Sequence, residues 1–319
     1  MDLYYGYKAA RWVSVTLPRR FNYWLAMRVS WFFYALDTKG REAVRANLRQ
    51  IFRARGTEAN EALIRRCSRE TFVNFAKYLV DFFRYAHLSP DDVGRVVEVD
   101  HPEYIRQAAG MGKGVIAVSA HFGNWEMGGA VIPALGYRFH AVVLPQRLEK
   151  LNRLFQSQRR RRGFDVSFLG QSASTLMRAL RKGGFVGLLA DLDFTGHQDT
   201  MNFFGKPARL PRGAAYLAHR MGVPILPGFV RRKPDDSMVL HVYPPILPSA
   251  DLTQEAIQAR ICAIMEDVIG RYPSQWFVFR DFWGGTTGSV LASNGLGQPA
   301  WPAGSSSQRA VAGSEVATD

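Results

Sequence analysis

The sequence predicts an α/β fold, a mainly parallel sheet with helices on both faces, preceded by an N-terminal helical segment. The first observation is a series of short apolar runs of strand length: Val115–Ser119, Phe139–Leu144, Asp165–Leu169, Phe185–Leu189, Ile225–Val230 and Val239–Val242, opened by Arg95–Val99. The second is what lies between them. Helical spacing of apolar residues marks Tyr104–Ala109, Asn124–Leu135, Glu149–Arg162, Ser172–Arg181 and Gly213–Met221, and Thr253–Arg271 is the last good helix. Parallel strands need crossover connections, and the helices that make them cover the sheet. The third is the contrast with the preceding stretch, where Arg41–Phe52 and Glu58–Tyr85 carry the helical period alone, separated by Gly56.

Three segments follow from this: residues 1–90, helical and membrane-associating; 91–283, the α/β core; and 284–319, a tail. In the first 36 residues Tyr4, Tyr5, Tyr7, Trp12, Phe21, Tyr23, Trp24, Trp31, Phe32, Phe33 and Tyr34 are interleaved with Lys8, Arg11, Arg19, Arg20 and Arg28. The most apolar piece, Phe21–Leu36, is too short to span a bilayer core of about 30 Å and has Arg28 in its middle. Aromatics mixed with cations suit the headgroup layer, which gives a membrane-interface helix. A core-packing helix pair with a solvated basic edge fits the same pattern equally. From Gly284 onward the chain is rich in Gly, Ser and Ala and is expected to be disordered.

At 319 residues with 47% hydrophobic content, the chain can bury a large core, which excludes wholesale disorder. A net charge of +14 demands an anionic partner: nucleic acid, anionic lipid or an acidic carrier protein. No nucleic-acid-binding module is recognisable, so nucleic acid is not expected. Cys67 and Cys262 cannot build a disulfide framework and fit small buried residues in a reducing, cytoplasmic setting. The N-terminus lacks the clean apolar core and cleavage site of a secretion signal. Seven scattered histidines show no metal-ligand spacing, and no metal or cofactor is expected.

The most informative stretch is His121-Phe122-Gly123-Asn124-Trp125-Glu126, directly after the run Val115–Ser119. In open α/β sheets ligands bind just past the strand ends. On one continuous helix, residues five apart diverge by about 140°. His121 and Glu126 can therefore cooperate only if His121 lies in a turn and Glu126 on the helix that follows. Asn124 is a good N-cap for that helix and places Glu126 in its first turn, where the dipole favours a carboxylate. The pattern suggests a histidine base oriented by a glutamate; taken alone, it also fits a satisfied polar residue at a strand end.

Other blocks add to this. Asp191-Leu192-Asp193 follows the run Phe185–Leu189 and could bind a metal, orient a base, hold a basic neighbour or cap a turn. Arg209 and Arg212 flank Pro211 before a helix, where guanidinium groups could meet a phosphate, or could belong to a solvated loop. Gly222–Pro227 reads as a wall of the site. Trp276 and Trp283, in the closing block Tyr272–Trp283, read as packing. Arg159–Arg162 end a helix, as a solvated basic face or a docking patch. Gly110–Gly114 precedes a strand and is no dinucleotide fingerprint. No Gly-x-Ser-x-Gly elbow is present, which argues against a serine hydrolase.

Taken in order, these blocks resemble the lysophospholipid acyltransferase superfamily. Within it they are most similar to the bacterial lipid A late acyltransferases and the phosphatidylinositol mannoside acyltransferases. The His-x4-acid element stands as His121 to Glu126. Asp191-x-Asp193, Phe203-Phe204-Gly205-Lys206-Pro207-Ala208, Val223-Pro224-x-x-Pro227 and Pro273-x-Gln275-Trp276 follow in the family's order. The likeness covers residues 1–283. The Glu-Gly-Thr-Arg block of glycerophosphate acyltransferases is absent. Where lipid A enzymes often carry an arginine after the third strand, this chain has Leu144-Pro145, with Arg147 nearby.

The resemblance implies transfer of a fatty acyl chain from acyl carrier protein or acyl-coenzyme A to a hydroxyl of a glycolipid such as a lipid A precursor. The place of reaction would be the cytoplasmic face of the bacterial inner membrane, with the chain peripheral or N-terminally anchored at an anionic surface. His121 would act as base and Glu126 as its partner. Asn124, Arg147, Asp191, Asp193, Lys206, Arg209 and Arg212 would bind substrate, and backbone N–H groups around Gly123–Trp125 would meet the thioester oxyanion. The alternatives are a different acceptor (a phosphatidylinositol mannoside or another lysolipid), a metal-dependent glycosyltransferase built on Asp191-x-Asp193, or a non-enzymatic basic protein that binds a membrane surface or nucleic acid.

Overall fold

A computed structural model describes residues 3–145, 148–168, 173–193, 197–249 and 251–284. Arg147 and residues 285–319 of the tail lie outside the described residues. The chain opens with four helices: α1 (Leu3–Thr16), α2 (Arg19–Leu36), α3 (Thr38–Ala54) and α4 (Glu61–Arg84). Short polar side chains start two of them. Asp37 accepts from the Gly40 N–H and Asn60 from the Leu63 N–H, each at 2.9 Å, satisfying donors that the first turn leaves without partners.

The α/β part follows as α5 (Pro90–Val93), β1 (Val97–Asp100), α6 (Pro102–Gly110), β2 (Val115–Ser119), α7 (Trp125–Ala134), β3 (Phe139–Val143), α8 (Glu149–Arg161), β4 (Phe164–Phe168), α9 (Ala173–Arg181) and β5 (Phe185–Leu189). It continues through β6 (Gln198–Phe203), β7 (Lys206–Pro211), α10 (Gly213–Met221), β8 (Ile225–Arg232), β9 (Met238–Val242) and α11 (Gln254–Arg271). Seven strands form one sheet in the order β1-β9-β8-β2-β5-β3-β4. All neighbours are parallel except β8 and β9, which run antiparallel. A short link after Arg232 makes that exception, since a tight connection can only reverse the strand. One sheet face packs Ile116, Val118 and Phe229 against α10 and α11. The other packs Val115, Val230 and Leu240 against α6 and α7.

A two-stranded antiparallel hairpin, β6–β7, stands apart from this sheet where the sequence suggested a basic loop. Phe204 and Gly205 both have positive φ, +50° and +74°, as a tight hairpin turn requires. A phenylalanine seldom adopts that conformation. It is held here because its N–H donates to Glu266, its carbonyl accepts from Gln50 at 2.6 Å, and its ring packs on Phe203 and Trp283.

The N-terminal helices pack on the core and also leave an aromatic face in the open. Tyr23, Ala26 and Ser30 of α2 are buried. The Tyr23 hydroxyl donates to the buried Asp81 of α4 at 2.6 Å, and Arg232 of β8 pairs with the same carboxylate. Trp12, Trp24, Trp31 and Phe32 point outward, with Trp12 65% and Phe32 63% exposed. No helix among the described residues is long and apolar enough to cross a membrane. Val44, Leu48, Ile64, Phe72 and Phe75 of α3 and α4 share one apolar cluster with Phe277 and Phe279 of the closing segment.

Candidate active site

His121 leaves the C-terminal end of β2, the strand between β8 and β5. The turn it begins needs a glycine. Gly123 has φ +54°, and a Cβ there would lie 1.7 Å from the Val230 carbonyl oxygen. The Gly123 N–H donates to the Gln275 carbonyl at 2.8 Å and the Asn124 N–H to that of Val230 at 3.0 Å. Those two N–H groups are occupied, which corrects the expectation that they meet an oxyanion. Asn124 is buried and caps α7, accepting from the Met127 N–H at 3.2 Å. It is therefore structural, and it does not line the cavity described below.

Adjacent parallel strands deliver the partner of His121. Ser119 of β2 pairs with Leu189 of β5, so His121 and Asp191 each stand two residues past the same register position. His121 Nδ1 lies 2.9 Å from Asp191 Oδ1. The backbone N–H of His121 and the indole Nε1 of Trp276 both donate to Asp191 Oδ2 at 2.9 Å. Both oxygens are thus in use, which leaves no open chelating pair at Asp191-x-Asp193. Asp191 is 0% exposed and His121 6%. Burial alone would push the Asp191 carboxyl up. The His121 ring, with the hydrogen bonds from that ring, the Trp276 indole and the His121 backbone, outweighs burial and holds it below the usual carboxylate range. A carboxylate at Nδ1 selects the tautomer with Nδ1–H and leaves Nε2 as the basic nitrogen.

Glu126 is not the partner of the imidazole, which corrects the sequence expectation. It sits in the first turn of α7, where its carboxylate accepts from Arg159 Nε of α8 at 3.0 Å and also from Arg159 Nη2. Arg162 stands 3.6 Å away on the other side and donates to the carbonyls of Phe82 and Tyr85. Of the predicted basic run, Arg160 and Arg161 face solvent, while Arg162 is buried and Arg159 largely so. The physical reason is register. A turn of helix carries Glu126 toward α8, whereas the strand pairing carries Asp191 toward His121.

A cavity of about 310 Å³ lies between α7 and the sheet, within the range of small-molecule sites. His121, Glu126, Arg159 and Asp193 border it, and its walls are apolar, among them Tyr78, Phe82, Phe139, Phe164, Leu226 and Val230. Pro211 and Gly213 also line it, whereas Arg212 between them does not and lies 3.8 Å from Asp199. Lys206 and Arg209, on β7, are exposed and do not line it. Sequence reasoning read Trp276 as packing and gave Arg280 no role. Trp276 grips Asp191, and burial holds the pKa of the Arg280 guanidinium below its usual value against the opposing pull of Asp191 and Asp193. Among the described residues no group of three or more His, Cys, Asp or Glu could hold a metal ion.

The class of protein that carries this fold and site is an acyltransferase. Residues 3–284 match the family described as bacterial lipid A biosynthesis acyltransferase, and the chain belongs to that family. It is 27% identical to a phosphatidylinositol mannoside acyltransferase of Mycolicibacterium smegmatis over 255 residues, covering 78% of this chain and 82% of the relative. It is 25% identical to a phosphatidylinositol mannoside acyltransferase of Mycobacterium tuberculosis over 285 residues, covering 86% and 87%.

Proposed function

We propose that this acyltransferase moves a long acyl chain from a thioester of acyl carrier protein or coenzyme A to a hydroxyl of a phosphate-bearing glycolipid. The observation that carries the reading is a buried His121, paired with Asp191, that borders an apolar cavity large enough for hydrocarbon. A sugar or hydroxyacyl hydroxyl is a weak nucleophile and needs a base. His121 Nε2 takes its proton as the hydroxyl oxygen attacks the thioester carbonyl. Asp191 stabilises the imidazolium that forms. When the tetrahedral intermediate collapses, the thiolate leaves and takes the proton from the imidazolium. Glu126, neutralised by two guanidinium groups, fixes α7 against α8 and so keeps the cavity open. Asp193, which borders the cavity, meets the polar part of a substrate, with Arg212 next to the lining residues Pro211 and Gly213.

A lipid A precursor is the first reading of the acceptor, because the family match spans nearly the whole folded chain. A phosphatidylinositol mannoside is the second, supported by the names of the curated relatives. The reaction takes place at the cytoplasmic face of the inner membrane. Support for that comes from the exposed aromatics of α1 and α2, with Arg28 lying over both Trp24 and Trp31 at 5.6 and 4.8 Å. The test is mass spectrometry of the host's glycolipids after deletion of the gene. A species lighter by one acyl group is expected, and an unchanged glycolipid profile defeats the proposal.

A further inference from the structure

We infer that the ring of Phe139 is the stop that sets how long an acyl chain the cavity accepts. This rests on the acyl-transfer reading above and adds the residue that measures the chain. Three neighbouring strands carry one pattern on the face beneath α7. In register, Val115, Phe185 and Phe139 form a row of large side chains. The next row toward the C-terminal edge is Ala117, Gly187 and Ala141, all small. Gly128 and Gly129 of α7 also line the cavity. Small residues on both walls leave room for a chain.

Phe139 fills the end of that space. A Cβ on Gly187 would lie 2.5 Å from Phe139 Cζ, and a Cβ on Gly129 would lie 3.0 Å from Phe139 Cε1. The ring therefore lies between two glycines, one on the sheet and one on the helix. Neither glycine has a positive φ, so close approach of the ring, not backbone conformation, is what requires glycine there. Phe164 backs the ring edge-on at 4.9 Å. Everything at this end is hydrocarbon, so a chain is halted by contact and not by a polar group.

The register supplies a length. Four residues separate Ala117 of β2, level with Gly187, from His121 just past the strand, about 13 Å at an extended rise. A zigzag of C–C bonds near 1.5 Å advances roughly 1.25 Å per carbon. The ring thus stops a chain on the order of ten carbons from the imidazole. Removing the ring frees the row it fills beside Gly187, a spacing of roughly 6.6 Å or about five carbons.

The test measures binding of a ladder of free saturated fatty acids to the purified full chain, by displacement of a fluorescent fatty acid. In the wild type, affinity should rise roughly threefold to fourfold per added methylene and then stop rising at a cut-off length. Phe139→Ala should move the cut-off up by about five carbons. Phe139→Leu, which keeps an apolar side chain in the core and guards against an unfolded alanine variant, should move it part of the way. Gly187→Ala, whose methyl group pushes the ring into the cavity, should move it down. An unchanged cut-off in both Phe139 variants overturns the inference while leaving acyl transfer standing. A wild-type chain that binds no fatty acid of any length overturns the acyl-transfer reading as well.

Discussion

Two buried carboxylates, one bordering the cavity and one behind the histidine that borders it, are held in opposite ways. Asp191, at the end of β5, is gripped by an imidazole, an indole and a backbone N–H. Glu126, on α7, faces the guanidinium groups of Arg159 and Arg162. Asp191 bonds to the His121 ring itself, so its charge can answer a proton that arrives there, while the Arg280 guanidinium also acts on it electrostatically. The charge of Glu126 is already balanced, so little is left for an event elsewhere. The motif spacing draws the eye to the second carboxylate, whereas the hydrogen-bond geometry assigns the ring to the first.

Substitutions separate the two. His121→Ala should give the largest effect, a fall in acyl transfer of about 10³-fold or more when assayed well below its melting transition, since it removes the base itself. The melting temperature should also fall, because Asp191 loses a buried partner. Purified protein assayed with an acyl thioester and glycolipid checks it, and a loss within tenfold would remove the base assignment. Asp191→Asn should follow, with a fall of roughly 10²- to 10³-fold in kcat at nearly constant KM, because the ring loses its tautomer and its counter-charge. The same variant has a pH signature. Asp191 is held below the usual carboxylate range, so its ionised form stabilises the fold above the ordinary value near 3.9. That contribution fades as pH falls further. A thermal melt series from neutral pH to about pH 3 should therefore drop less steeply for Asp191→Asn than for the wild type.

Glu126→Gln should act on stability first. It strands two buried guanidinium groups, which costs about 3–5 kcal/mol. Activity measured well below the melting transition should fall less than for Asp191→Asn. Adding Arg159→Met should recover part of the lost stability, because a buried pair replaced by apolar atoms is often neutral. A Glu126→Gln chain that melts like the wild type but loses as much activity as Asp191→Asn would reverse the comparison. The smallest effect is expected far from both carboxylates. Arg28→Gln should weaken binding to anionic vesicles about fivefold, the worth of one cation near such a surface, and leave thioester turnover in detergent unchanged. Equal vesicle binding by the two chains would count against α2 as the membrane face.

Much of the fold was legible because its signals are local. Val115–Ser119, Phe185–Leu189 and Gly213–Met221 stand where apolar runs and helical spacing placed them. Asn124 caps α7 as a short polar side chain before an apolar helix should. The hairpin β6–β7 was hidden, because its turn is Phe204-Gly205, and a phenylalanine in a left-handed conformation is tolerated only through Gln50, Glu266 and Trp283. The site was half legible. His121 was visible from its place after a strand. Its partner was not, since Asp191 is seventy residues away and the sequence does not say that β5 lies beside β2.

By itself the sequence determined the α/β alternation, the N-terminal helices and the histidine at a strand end, because period and capping act within a few residues. Tertiary structure decided which carboxylate holds that histidine, where Glu126 points and how deep the hydrocarbon space runs. Those depend on which strands become neighbours and in what register, and a chain contains that only through the packing of residues far apart along it.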